Sequence, residues 1–168
     1  IDAFLNNDEG GTGYYDFWIS MNDYDLRHAS AGNSMISVLS LQSGTYYDGF
    51  FYAFNDKGEV LRIDPKDTTA YTVLGASGLD VSYDQVTAMA MDYTTGTMYA
   101  LTLPCTWDYS VDAAVSRPGS LATVDLDTGK VTKIAELDMT NKVFAMAIDK
   151  NGTMYVAGSA DYYTDAVL

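Results

Sequence analysis

Trp107, Asp108, Tyr109 and Asp112 lie close together within "LPCTWDYSVDAAVSRPGS", residues 103–120, with Arg117 a few positions further on. The same pairing of aromatic rings with carboxylates recurs at Tyr83 and Asp84, and again at Asp161, Tyr162 and Tyr163. Aromatic faces flanked by acceptors suit sugar rings, whose C–H faces stack while their hydroxyls donate, and they suit the hot spot of a protein partner equally well. The alternative is structural: a loop this long needs a small core of its own, and Trp107 could fold back to fill it. The Tyr-Tyr pairs beginning at 14, 46 and 162 read as packing at strand ends.

Other chemistry finds less support. A single Cys105 excludes an internal disulfide, and one thiol with one imidazole, His28, gives neither a zinc set nor a thiolate–imidazole pair. The acidic turns "NNDEGG", "NDKGE" and "DLDTGK" lack the spacing of a calcium loop, which alternates oxygen ligands and closes on a bidentate Glu. They read as plain β-turns; no cofactor is expected, and calcium is the only metal the acidic turns bring to mind. No nucleophile elbow, phosphate loop or metalloprotease helix is present. The expectation is a chain that is not an enzyme; a lyase or hydrolase working through Asp or Arg in a central channel ranks behind two non-catalytic readings.

Composition narrows the partners. Twenty-three acidic residues against nine basic ones leave a net charge of −14, which repels nucleic acid and anionic membrane surfaces. No apolar run approaches a membrane span and no secretory leader opens the sequence; with Ile1 in first place, a processed form or a fragment is expected. Fourteen Tyr, fourteen Gly and three Pro favour short strands and tight turns.

The elements that would hold such loops announce themselves by repetition. "AMAMDYTTGTMYAL" (88–101) returns as "AMAIDKNGTMYVAG" (145–158), with Ala90 and Ala147 separated by 57 residues and Gly96 and Gly152 by 56. Each is an apolar run, an Asp, a short turn ending in Gly, and a second apolar run, which is a hairpin; Asn151-Gly152 predicts a two-residue type I′ connection. A further hairpin is expected over residues 121–125 and 130–135. An earlier unit is expected with strands at 50–54, 60–64 and 71–74, and with its first strand at Met35 to Leu41, abutting the turn-like "QSGTYYDG". "YYDFWISMND" (14–23) fits either a second strand or a third followed by a fourth at Leu26 to Ser30.

Antiparallel units of four strands, recurring every 45 to 60 residues or so and apolar on both faces, are what a β-propeller blade requires, since neighbouring blades cover each face. The small residues Ala88, Ala90, Ala145 and Ala147 suit an innermost strand, and Lys130 and Lys133 suit an outer edge. "VTAMAMDYTTGTMYALT", "LATVDLDTGKVTKIAEL" and "FAMAIDKNGTMYVAGS" resemble the repeats of quinoprotein-dehydrogenase-like and YVTN-type β-propellers, over about residues 35 to 160. More narrowly they are similar to repeats of secreted or wall-attached proteins of Gram-positive bacteria. That resemblance implies a fold and an extracellular or cell-surface location, and carries no catalytic positions.

The expected organisation is thus an all-β chain forming one partial propeller: a partial blade at 1–33, blades at 34–79 and 80–139, and a half blade at 140–168. Two functions follow. One is a non-catalytic module binding a glycan or protein through Trp107, Asp108, Tyr109, Asp112, Tyr83, Tyr162 and Tyr163. The other is a structural subunit whose open blades join further copies, or the rest of a larger propeller, by blade or strand completion.

Overall fold

The computed structural model describes residues 2–7, 15–22, 25–35, 41–82, 84–104, 118–137, 143–159 and 166–167. Among them the chain is all-β, in four antiparallel sheets whose strands follow sequence order. The first sheet holds β1 (Asp2–Asn7), β2 (Tyr15–Asn22) and β3 (Asp25–Met35). The second holds β4 (Leu41–Tyr47), β5 (Phe50–Asn55), β6 (Glu59–Asp64) and β7 (Asp67–Ala76). The third holds β8 (Asp84–Asp92), β9 (Thr97–Pro104), β10 (Ser120–Val124) and β11 (Val131–Glu136); the fourth holds β12 (Val143–Ile148), β13 (Met154–Ser159) and β14 (Ala166–Val167).

Both copies of the repeated sentence form hairpins, β8–β9 and β12–β13, and each carries an irregularity at the same place. Register shifts between Val86 and Ala88 and between Val143 and Ala145, so Thr87 and Phe144 are bulged residues. The second sheet shifts likewise between Leu41 and Ser43. One extra residue reverses the alternation of faces. Val86 therefore shares a face with Met89 and Met91, three positions and five positions on, and all three enter one buried cluster.

The first strand of the second sheet departs from expectation. β4 runs through "LQSGTYY" itself, while Met35 closes β3. Only Asp48 and Gly49 turn, with φ of 46° and 84°, the left-handed pair of a two-residue hairpin. Gly44 belongs to the strand through its pairing with Ala53, and a Cβ there would stand 2.6 Å from the Phe51 ring and the Tyr52 carbonyl oxygen. Residues 36–40 of the expected strand lie outside the described residues.

The turn at Asn151-Gly152 is also different from the expected two-residue form. Only Gly152 has a positive φ, 82°, and Asp149 N–H donates to the Thr153 carbonyl (2.9 Å), giving a three-residue connection. The Asp149 carboxylate imposes it by accepting from the N–H groups of Asn151 (2.8 Å) and Thr153 (2.9 Å).

In the first sheet, residues 15–22 of "YYDFWISMND" form β2, the middle of three strands, followed by β3. Met21 pairs with Ala29 and Asn22 with Asp25, a skip like that of Ile63 with Tyr71 and Asp64 with Asp67 in the second sheet.

Successive sheets meet through their first strands, β4 against β8 and β8 against β12. Where two of the second, third and fourth sheets adjoin, the face turned to the following sheet is its back and the face turned to the preceding one its front. The back of the second sheet (Tyr52, Phe54, Val60) packs on the front of the third (Met89, Met91, Met98, Ala100). The back of the third (Ala88, Leu101, Leu121) packs on the front of the fourth (Met146, Val156). Burying one large side chain such as Phe54 or Leu101 contributes about 1.5–3 kcal/mol, so these paired faces dominate the core.

Candidate functional site

The two ends of the sheets are built differently. At one end lie the turns joining first to second strands, each resting on its predecessor. The Tyr93 hydroxyl donates to the Tyr46 carbonyl (3.1 Å), and Gly152 lies against Thr94. At the other end lie the connections between sheets and between second and third strands. Ser77, buried at the start of the link from the second sheet to the third, donates its N–H to the Gly58 carbonyl (2.8 Å) and accepts from the N–H of Val131 (2.9 Å), which opens β11 after the β10–β11 turn, tying the second sheet to the third.

This second end carries the long connection from β9 to β10. Its described root, Pro118 and Gly119, is held where Leu137 N–H donates to the Gly119 carbonyl (2.8 Å). Beside it opens a groove of about 480 Å³ lined by Asp84, Pro118, Ser120, Lys133, Ile134, Ala135 and Glu136. Asp84 begins β8 and Lys133 lies on the outer strand β11, yet the ammonium meets the Asp84 carboxylate at 2.7 Å. The lysine side chain is 42% exposed and the aspartate 19%, so the pair is half in solvent and can trade partners with a polar ligand. Glu136 adds an exposed carboxylate, and Ile134, Ala135 and Pro118 an apolar wall.

Of the residues expected to bind, Trp107, Asp108, Tyr109, Asp112, Tyr83, Tyr162 and Tyr163 all lie outside the described residues, as do Arg117 and Asp161. Their neighbour Asp84 is in the groove. Lys133 and Glu136 were not legible as site residues, because β11 reads only as a water-facing edge; its remaining residues, from Thr132 on, are indeed exposed.

Sequence reading also missed an aromatic group at the opposite end. Tyr47 lies between Tyr52 (centroids 6.2 Å apart) and Tyr93 (5.8 Å), and the Arg62 guanidinium covers the Phe50 ring at 4.7 Å. Burial pushes the Tyr52 hydroxyl above its ordinary pKa, with Arg62 opposing. Tyr46 and Tyr93 remain 49% and 65% exposed, so the Tyr46-Tyr47 pair is packing on one side and open surface on the other; the side chains of the pairs at 14 and 162 lie outside the described residues.

The described acidic turns have a local explanation, while residues 8–11 of "NNDEGG" lie outside the described residues. Asp92 accepts from the hydroxyls of Thr94 and Thr95, each at 2.7 Å, and from Thr94 N–H, while Asp125 accepts from the N–H groups of Asp127 and Thr128. These bonds hold both carboxyls, and that of Asp149, below the usual aspartate pKa. Among the described residues no three His, Cys, Asp or Glu side chains converge as a metal site. No family model matches the chain, and no curated protein matches it.

Proposed function

We propose that this chain is a non-catalytic β-propeller-type interaction module of a secreted or cell-surface bacterial protein, its sheets serving as blades. It binds a glycan or a protein at the end that carries the 103–120 connection. Three features support the blade reading: sheets of consecutive antiparallel strands, first strands that adjoin from sheet to sheet, and back faces that pack on front faces. The observation that carries the binding reading is the groove of Asp84, Lys133 and Glu136 at the root of the long connection. It supplies donors, acceptors and an apolar wall beside the segment that holds Trp107 and Tyr109.

The test is a glycan array followed by calorimetry on any hit. Trp107→Ala and Lys133→Ala are each expected to weaken binding tenfold or more without changing the unfolding midpoint by much. Retention of full affinity in both variants would remove the loop end as the binding surface. A second reading, a structural subunit completed by further sheets, is favoured by a different observation: on the back face of the fourth sheet Ala145, Ala147 and Tyr155 are exposed, Tyr155 to 54%, among the described residues.

A further inference from the structure

The groove beside the 103–120 connection owes its polar lining to an irregularity in β11. Residues three apart on a regular strand point to opposite faces, so Lys133 and Glu136 would stand on opposite sides of the sheet. Register shifts between Leu121 and Ala122, which pair with Ala135 and Lys133, and Ile134 is the extra residue. The bulge returns both charged side chains to the face of Ala122 and Ser120. Asp84 stands on that face as well, for it lies two positions from Val86, which pairs with Thr102, which in turn pairs with Ser120. Polar side chains from three strands thus converge on one groove of about 480 Å³.

We infer that this groove takes an uncharged sugar unit, two neighbouring hydroxyls bonding to the Asp84 carboxylate and the Lys133 ammonium and a third donating to Glu136. The inference rests on the reading of the loop end as a binding surface, and it chooses a glycan over a protein. A hydroxyl both donates and accepts, so adjacent hydroxyls on a sugar ring satisfy a carboxylate and an ammonium 2.7 Å apart without separating them. Charge points the same way. Two carboxylates against one ammonium, in a chain of −14, repel a uronate, a sulfate or an acidic peptide. The ammonium or guanidinium of a basic peptide would meet Lys133, which already holds Asp84. Exposed Ile134 and Pro118 supply the apolar side against which the C–H face of a ring lies.

Calorimetry on the full chain tests this with neutral oligosaccharides of glucose, galactose, mannose and xylose, with their uronate and amino-sugar counterparts, and with acidic and basic peptides. A neutral oligosaccharide is expected to bind best, its affinity changing less than about twofold from low to high salt because it carries no charge to screen. Glu136→Gln is expected to weaken it several-fold, since an amide oxygen accepts less strongly than a carboxylate. Glu136 is exposed, so that variant keeps its fold. Preference for a uronate, an amino sugar or a peptide overturns the inference, and so does failure to bind any neutral oligosaccharide. A Glu136→Gln variant that binds as well as the wild type, or more tightly, overturns it too. Trp107→Ala and Lys133→Ala separate these failures from failure of the loop end as a binding surface. If a charged ligand or a peptide binds and both variants weaken it, that surface stands and only the neutral sugar falls; if both leave binding intact, the surface itself falls.

Discussion

The third and fourth sheets open on hairpins that are written in almost the same words and live in different surroundings. Their hairpins, their bulges at Thr87 and Phe144, and their front faces of Met89 and Met91 or Met146 and Ile148 correspond one to one. Their back faces do not: Ala90 is 6% exposed and its counterpart Ala147 lies in the open. Local sequence sets strand, turn and bulge, whereas burial is set by whichever sheet stands alongside. The same alanine is therefore a core residue in one copy and a surface residue in the other.

The largest expected break in that comparison comes from placing a carboxylate at equivalent alanines. Ala88→Glu forces an unpaired charge between two sheets and is expected to cost at least about 3 kcal/mol, enough to unfold a marginal domain. Ala145→Glu meets solvent and is expected to stay within about 0.5 kcal/mol of wild type. Urea midpoints at a common slope read the difference; equal losses would mean that the fourth sheet's back face is covered after all.

A smaller contrast lies in the turn glycines. Gly129 has φ of 73°, and a Cβ there would stand 2.7–3.0 Å from the backbone of Gly75, in the sheet before. Gly152 has φ of 82° but its nearest neighbours would be side-chain atoms, the Thr94 hydroxyl at 3.0 Å and the Asp92 carboxylate oxygens at 3.7 Å, which give way more easily than backbone. Gly152→Ala is expected to cost about 1–2 kcal/mol for the left-handed backbone alone. Gly129→Ala adds a clash that backbone cannot relieve and is expected to cost more, read as a lower thermal midpoint with the ranking preserved.

How far the sequence foretold these features depends on whether their causes are local. The β8–β9 and β12–β13 hairpins were legible because apolar run, Asp, Gly and apolar run follow within a few residues. The bulges were not, since Val86, Ala88, Met89, Ala90 and Met91 are all apolar and leave no alternation to break. β4 was read as a turn because Gly44, Ser43 and Thr45 favour turns, and only pairing with β5 makes it a strand. Asn151-Gly152 misled because the Asp149 carboxylate, two residues earlier, dictates the turn. In the candidate groove Asp84 could be anticipated from its neighbours, but Lys133 reaches it across 49 residues of chain, a distance no spacing rule spans.

Acid should distinguish the turn carboxylates by the donors that hold them. Asp92 is held chiefly by the hydroxyls of Thr94 and Thr95, and Asp149 chiefly by the backbone N–H groups of Thr153 and Asn151. Both folded pKa values lie below the unfolded one. Their contribution is therefore fully present above the unfolded value of about 3.9 and is lost as pH falls through the folded values. Asp149→Asn keeps the acceptor but removes the titration, so its urea midpoint should fall less than that of wild type between pH 5 and pH 2. Thr94→Val in the third sheet raises the pKa of Asp92 toward the unfolded value and should likewise flatten the acid limb. An unchanged limb in both variants would place acid sensitivity elsewhere among the chain's carboxylates.

The smallest effect tests which contacts between sheets matter. Tyr93 donates its hydroxyl to the Tyr46 carbonyl of the preceding sheet, while the corresponding residue of the fourth sheet is Lys150, an ammonium donor on a flexible chain in place of the rigid phenol. The bond lies in solvent, where water replaces it at little cost, so Tyr93→Phe is expected to lower stability by less than about 1 kcal/mol. The ring keeps its place against Tyr47. A loss of that size leaves the stacked apolar faces as the force joining the sheets. A loss comparable to that of Ala88→Glu would reverse the order and make the turns at this end the fastening. The fourth sheet, with Lys150 in that position, would then be the most weakly held.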